Sequence, residues 1–212
     1  MTREETLKAL SGFSTPELCD GAGLYHSLHH EIRHFVGRTK IVGTAVTVDV
    51  PSGEGGIIAD AILRLHQGEI LIIAGKGNCD ASYWGDHRSI CANMMRAEGV
   101  VIDGAFRDID GCEEAEFPIF ARGITCGTAL KSNTGAINVP VSCGGVTVNP
   151  GDFIVADRNG ACVIRPDEAE RVMKGAMDKR QRQEVTIDEM KRTGKVLTKV
   201  KSWEALRAFA EN

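Results

Sequence analysis

Two short segments bring together residue types suited to binding and polarising a small anion. One is Trp84-Gly85-Asp86-His87-Arg88 and the other is Arg107-Asp108. Gly85 would let a ligand approach the backbone closely. If a helix opens after it, the N–H groups of Asp86, His87 and Arg88 lack intrahelical acceptors and form, with the helix dipole, a carboxylate site. Asp108 is a hard oxygen ligand suited to Mg²⁺ or Mn²⁺, with coordination positions left for water and substrate. Arg107 beside it is a permanent cation able to hold a carboxylate or stabilise charge developing on an enolate oxygen. Asp86 could order or deprotonate a water. Together these parts describe carbon–carbon bond cleavage next to a metal-chelated 2-oxo acid. Plainer readings exist for the same residues: Arg107-Asp108 as a surface ion pair, Asp86 as a first-turn acid complementing the dipole. Spacing does not choose between them.

The two segments must be brought together by the elements that precede them. Glu69 to Ala74 reads as a short buried strand, followed by a Gly75–Asp80 loop and a helix over roughly Asp86 to Glu98. In that helix the apolar residues Ile90, Cys91, Met94 and Met95 recur at helical spacing. Gly99 to Asp103 is a second apolar strand, so the stretch forms a βαβ unit. Its parallel strands end on one side of a sheet, where ligands of such folds bind. Elsewhere, Ser14-Thr15-Pro16-Glu17 is a helix start, Lys40 to Val50 a β-branched strand, Ile57 to His66 a helix and Pro118 to Arg122 a strand. Val139 to Val148 and Phe153 to Ile164 read as antiparallel, broken by the turns Asn149-Pro150-Gly151-Asp152 and Asp157-Arg158-Asn159-Gly160. From Pro166, Ala169, Val172, Met173, Ala176 and Met177 make one helical stripe, and the stretch from Asp178 to Lys201 is densely charged. The expected architecture is a layered α/β domain with a mixed sheet over 1–165. A helical extension over 166–212 would pack on the domain or on a neighbouring subunit.

Composition narrows the function classes. The 212 residues are 42% hydrophobic and 25% charged with a net charge of −4, the profile of a globular protein lacking the basic field of a dedicated nucleic-acid binder. No apolar run approaches membrane-spanning length and the polar N-terminus reads as no signal peptide. Seven cysteines without a C-x-x-C pair fit reduced thiols, so the expected compartment is the cytoplasm. Cys91 and Cys162 fall in apolar patterns and read as small core residues.

The motifs W-G-D at 84–86, G-V-V-I-D-G-A-F-R-D at 99–108 and P-x-F-A-R-G at 118–123 resemble the class II 4-hydroxy-4-methyl-2-oxoglutarate aldolase family, also called RraA-like. The resemblance continues through N-V-P-V at 138–141, G-G-V-x-V-x-P-G-D at 144–152 and A-D-x-x-G at 156–160, with S-T-P-E-L-C-D-G at the opening helix, and spans about 12–170. It implies an αββα-type layered sandwich, homotrimers or homohexamers with a site between subunits, and cleavage of hydroxylated 2-oxo acids to pyruvate or decarboxylation of oxaloacetate. By position it implies that Asp108 binds the divalent cation, Mg²⁺ or Mn²⁺. Arg107 would contact substrate, Gly85, Asp86, His87 and Arg88 would bind the pyruvoyl carboxylate through amides, and Asp86 would position the water that relays protons. The chain departs from the family pattern in two places. His87 and Arg88 stand where leucines are common, and Gly111 stands where an acid is common three residues after Asp108. Together these changes suggest a more acidic or more hydroxylated substrate.

Other residues receive simpler assignments. His26, His29, His30 and His34 invite a zinc reading if helical, but no cysteine or acid completes the set, which favours a polar surface or subunit contact. The G-E-G-G loop at 53–56 lacks a P-loop ending and reads as a lip of the cleft. Cys79 has no base beside it, and Trp84 reads as packing. Glu184, Asp188 and Glu189 are candidates for an acid lent to a neighbouring subunit. Two other function classes remain beside the lyase. One is a regulatory protein-binding module, because the same family includes an inhibitor of a ribonuclease, and the other is a related metal-dependent decarboxylase or hydratase.

Overall fold

Alternating β-branched and aliphatic residues build a sheet that is buried on both faces. In the computed structural model, which describes residues 1–23, 26–199 and 202–210, the main sheet contains β1 (Arg33–Val36), β2 (Ile41–Asp49), β3 (Glu69–Trp84), β4 (Gly99–Phe106), β5 (Ile119–Ile124), β6 (Ala136–Ile137), β9 (Phe153–Asp157) and β10 (Gly160–Ile164). A separate hairpin is formed by β7 (Val141–Cys143) and β8 (Val146–Val148). The strand order is β1-β5-β4-β3-β2-β9-β10, with β6 pairing β2. β2, β3, β4 and β5 run parallel to one another, while β1, β6 and β9 pair antiparallel to this set and β10 antiparallel to β9, so the sheet is mixed as expected.

Period-two alternation sends successive side chains into different cores. Leu71 and Ile73 of β3, with Val100 and Ile102 of β4, pack beneath α3 (Ile58–Ile62), α4 (Asp86–Met94) and α5 (Ile109–Ala115). Ile70, Ile72 and Val101 face the opposite way, onto the β7–β8 hairpin through Val141, Cys143 and Val148. A third core joins β9 and β10 to α1 (Arg3–Leu10), α2 (Thr15–Ala22) and α6 (Ala169–Thr193). α2 starts where its sequence said it would, with Ser14 and Glu17 forming a capping box.

Several elements differ from their sequence reading. The helix read over Ile57–His66 is confined to Ile58–Ile62, and the one read to Glu98 ends at Met94. Val139–Val148 is not one strand but a tight hairpin turning at Gly144-Gly145, both at positive φ. The apolar stripe of α4 is only half buried: Cys91 and Met95 pack against the core, but Ile90 and Met94 are 50% and 79% exposed. Ser89 and Ala92 occupy the inner face instead, because the short α4 lies flat on large residues such as Trp84. Met177 likewise falls at the exposed edge of its stripe, while Ala169, Val172, Met173 and Ala176 are buried. Cys162 is buried as read.

α6 packs against α2 and carries α7 (Trp203–Ala210), whose Trp203 indole donates to Asp178 at 2.8 Å. Val200, Lys201, Glu211 and Asn212, at the ends of the charged stretch and of the 166–212 extension, lie outside the described residues, as do Leu24 and Tyr25. Among the described residues no helix is long and apolar enough to cross a membrane.

Candidate active site

A detour in β3 brings the two segments together. β3 pairs with β4 in regular parallel register from Ile70↔Gly99 to Ile73↔Ile102, then bulges away and touches it again only at Asn78↔Gly104, Ser82↔Ala105 and Trp84↔Phe106. The stretch read as a Gly75–Asp80 loop is this excursion, which turns through Lys76 and Gly77 at positive φ. It is tied off by buried Tyr83, whose hydroxyl donates to the Gly75 carbonyl at 3.0 Å. The two strands therefore end side by side, and the Arg107 N–H donates to the Trp84 carbonyl at 3.1 Å. Gly85 and Arg107, distant in sequence, become neighbours.

The cleft at this junction encloses about 240 Å³ and is lined by Ser82, Trp84, Gly85, Asp86, His87, Arg88, Arg107 and Asp108 on one side. Gly55 and the segment Thr128–Lys131 line the other. Every residue read from sequence as part of the site thus lies in one cleft. Arg107 and Asp108 are 41% and 42% exposed and their side chains meet, Nε to Oδ2, at 3.1 Å. Asp108 sits in the left-handed region at φ 58°, ψ 51° as the cap residue of α5. That conformation is unfavourable for a side-chain-bearing residue and is tolerated best by Asp and Asn. It aims the carboxylate back over Gly85, where an added Cβ would stand 2.7 Å from Oδ2. Glycine at 85 is thus required by Asp108. Gly111 plays the same part for Asp86: a Cβ there would lie 2.7 Å from the Asp86 Cβ and 2.9 Å from its Oδ2. The departure from the family pattern at 111 leaves the space that Asp86 fills.

At the head of α4 the anion site is smaller than the sequence suggested. Asp86 Oδ1 accepts the His87 N–H at 2.6 Å, so that amide is occupied. Among the described residues the N–H groups of Asp86 and Arg88 donate to no protein acceptor. Arg88 is also corrected. Its guanidinium is turned onto backbone, donating to the Tyr83 carbonyl and, at 2.6 Å, to the Gly55 carbonyl. Burial, followed by the Arg107 charge, lowers its pKa. Arg88 acts as a rivet between β3 and the Gly53–Gly56 lip, and His87 alone of the two projects to solvent.

That lip is itself clasped to the far wall. Gly55 N–H donates to the Leu130 carbonyl at 2.9 Å and Leu130 N–H to the Gly53 carbonyl at 2.8 Å. Glu54, 3% exposed, accepts the Ser132 hydroxyl at 2.6 Å and its N–H at 3.1 Å. The Ser132 hydroxyl is the first reason its carboxyl is held down to about 2, with the amides of Gly56, Ser132 and Asn133 adding to it. The 53–56 loop is therefore a lip of the cleft, as read. The 128–131 wall carried no motif and was not foreseen: nothing local distinguishes it from any polar loop.

The remaining candidates lie elsewhere or are structural. Trp84 is buried and stacked on Phe117, with its indole donating to Ser89 at 2.9 Å. Cys112, beneath Arg107, is pushed up to about 11 by burial and is an inert thiol. Cys79 does not line the cleft, and burial raises its pKa. The histidines do not form one cluster: His26 pairs with the Val163 carbonyl, His34 with the Gly37 carbonyl, and His29 with Arg122, while the His30 ring lies against that of His29 at 4.3 Å between centroids. Among the described residues no three His, Cys, Asp or Glu side chains converge as a metal cage. Glu184, Asp188 and Glu189 lie on α6 and do not line their own chain's cleft. The donors that face the cleft are the carboxylates of Asp86 and Asp108, with the His87 imidazole beside them. The Asp108 carboxylate suits a hydrated hard cation such as Mg²⁺ or Mn²⁺, which keeps several waters.

Comparison with known proteins follows the same residues. The RraA-like family (Aldolase/RraA) matches residues 15–163. A protein of Halalkalibacterium halodurans named "Putative 4-hydroxy-4-methyl-2-oxoglutarate aldolase" is 40% identical over 66% of this chain and 67% of its own. One of the same name from Vibrio cholerae is 32% identical over 69% and 91%. Among solved structures, Streptomyces coelicolor RraAS2, described as an unusual member of the RNase ES inhibitor RraA protein family, superposes with a TM-score of 0.79 at 26% identity, covering 90% of this chain and all of its own. The RNA-processing inhibitor RraA from Thermus thermophilis superposes at 0.66 with 25% identity, over 72% and 92%.

Proposed function

This chain belongs to the RraA-like, aldolase/RraA family, and from that premise we propose that it is a divalent-metal-dependent lyase cleaving a carbon–carbon bond of a small 2-oxo acid. The carrying observation is the convergence, in one cleft, of two unpartnered amides, a guanidinium and a carboxylate held in a strained backbone. The amides of Asp86 and Arg88 take the carboxylate next to the oxo group. Arg107 faces the negative charge that develops on the substrate oxygen as the bond breaks, and it is pre-aimed by its contact with Asp108. Asp86, placed over Gly111, orders the water that gives or takes the proton. Asp108 would hold Mg²⁺ or Mn²⁺, whose Lewis acidity would polarise the 2-oxo group. Aldol cleavage of 4-hydroxy-4-methyl-2-oxoglutarate and decarboxylation of oxaloacetate share this chemistry, since both leave the same electron pair on the retained fragment.

The test is pyruvate release from each of these two compounds with Mg²⁺ or Mn²⁺. Turnover should disappear with chelator, and Arg107→Ala should cut turnover far more than metal affinity. Silence on a broad panel of 2-oxo acids, with metal present, removes the lyase reading. The likeness to RraA structures supports one other reading, a regulatory module that binds a ribonuclease. Tight endonuclease binding without turnover would favour it. The exposed Ile90 and Met94, with Leu63 at 72% exposure nearby on the α3–α4 face, support assembly into a homo-oligomer.

A further inference from the structure

The side chains of Cys19 and Cys162 meet away from the cleft, in the core shared by α2, α6 and β10, and the lyase chemistry uses neither. Their thiols are hydrogen-bonded to one another. Cys19 on α2 is partly exposed, whereas Cys162 on β10, at the end of the sheet, is buried. Both backbones are fixed around the pair. Cys162 is registered against Val155 on one side and bridged to Ser27 on the other. α2 is tied to the same β9–β10 hairpin, since the Thr15 N–H and hydroxyl donate to the Asp157 carboxylate at 2.8 and 2.7 Å. It is also pressed onto α6, where a Cβ added at Gly21 would stand 2.1 Å from the Val172 carbonyl oxygen. The shared hydrogen bond sets the two sulfurs apart. It draws the Cys19 pKa below the ordinary thiol range, against burial and the charges of Asp20 and Asp157, and it pushes Cys162 up, with burial adding to it. Burial raises Cys79, Cys112 and Cys143 as well. An accessible sulfur with thiolate character beside a buried, protonated one is the division between an attacking and a resolving cysteine.

We infer that Cys19 and Cys162 form a peroxide-sensitive thiol pair that closes to a reversible disulfide, stapling α2 to β10. The Cys19 thiolate attacks one oxygen of hydrogen peroxide, the O–O bond breaks, and the departing hydroxide takes up the thiol's proton as water, leaving a sulfenic acid. The Cys162 thiol then attacks the Cys19 sulfur, and its proton leaves with the sulfenic hydroxyl as a second water. Two thiols are oxidised and one peroxide is reduced. The reduced full-length protein, freed of reductant, is treated with one equivalent of hydrogen peroxide and digested without reduction. Titratable thiols, counted in denaturant, should fall from the seven free cysteines of the chain by two. A peptide joining Cys19 to Cys162 should account for the loss, and dithiothreitol should reverse it. Cys162→Ala should stop at a Cys19 sulfenic acid that dimedone traps, and Cys19→Ser should leave Cys162 reduced. Cys79→Ser/Cys126→Ser, which removes two exposed thiols outside the pair, should give the same cross-link in the same yield. Peroxide spent on other cysteines while Cys19 stays reduced, a disulfide between other residues, or Cys19 oxidised without joining Cys162 overturns the assignment. Neither thiol lines the cleft, so the outcome is independent of the lyase reading.

Discussion

Two arginine–aspartate pairs lie on or just beyond the central strands of this molecule, and they are built for opposite ends. Arg122 of β5 and Asp103 of β4 are 15% and 8% exposed and meet across the sheet. Every oxygen of Asp103 is satisfied, one by Arg122 and the other by the Gly144 N–H at 2.9 Å, and Arg122 is shared further with Glu31 at 2.6 Å and His29 at 3.1 Å. Burial alone would lower the Arg122 pKa, but the bonds to Asp103 and Glu31 hold it above its ordinary value. Arg107 and Asp108 are adjacent in sequence, more than twice as exposed, joined by a single contact, and carried on a left-handed backbone. The first pair locks β4, β5, β1 and the β7–β8 hairpin together. The second keeps free valence facing a cleft. An ion pair's role is set by how fully its atoms are spent, and sequence adjacency says nothing about that.

Substitutions can sharpen the contrast. Asp108→Ala should cost the proposed turnover a factor of roughly 100 to 1,000, the scale of losing one preorganised charge. Its urea midpoint should fall only slightly, because alanine is somewhat more strained than aspartate in the left-handed region while the half-exposed contact with Arg107 contributes little. Asp103→Ala should do the reverse, losing about 3 kcal/mol of stability by leaving Arg122 partly uncompensated in a buried site. If the two variants lose stability alike, the distinction drawn here is wrong. Next in size is Gly85→Ala: the extended backbone accepts alanine, but its Cβ would displace the Asp108 carboxylate. A fall in turnover of about ten- to a hundredfold should follow with little change in unfolding, the penalty of misplacing a reacting group by a fraction of an ångström.

The smallest effect concerns the cleft wall. Glu54 is depressed from an ordinary 4.5 to about 2, so its contribution to stability is complete above the unfolded-state value and is lost as pH falls through that interval. Urea unfolding of Glu54→Gln should therefore show a flatter acid limb between pH 4.5 and 2 than the unsubstituted protein. An identical limb would mean that the clasp on Ser132 contributes nothing in solution.

What the sequence determined by itself was local and periodic: the capping box of α2, the β-branched run of β2, the parallel unit of β3, α4 and β4, and the two segments that bear the chemistry. These follow from spacing along the chain, which backbone geometry converts directly into faces and ends. The family resemblance was readable for the same reason, as ordered motifs. Only the folded chain decided which groups are free. It turned Arg88 onto carbonyls, spent the His87 amide on Asp86, left Ile90 and Met94 outside, and carried Lys131 to the cleft on a loop with no signature of its own. Each of those outcomes depends on partners distant in sequence or on a side-chain torsion, and competition among acceptors in three dimensions is not written in any spacing.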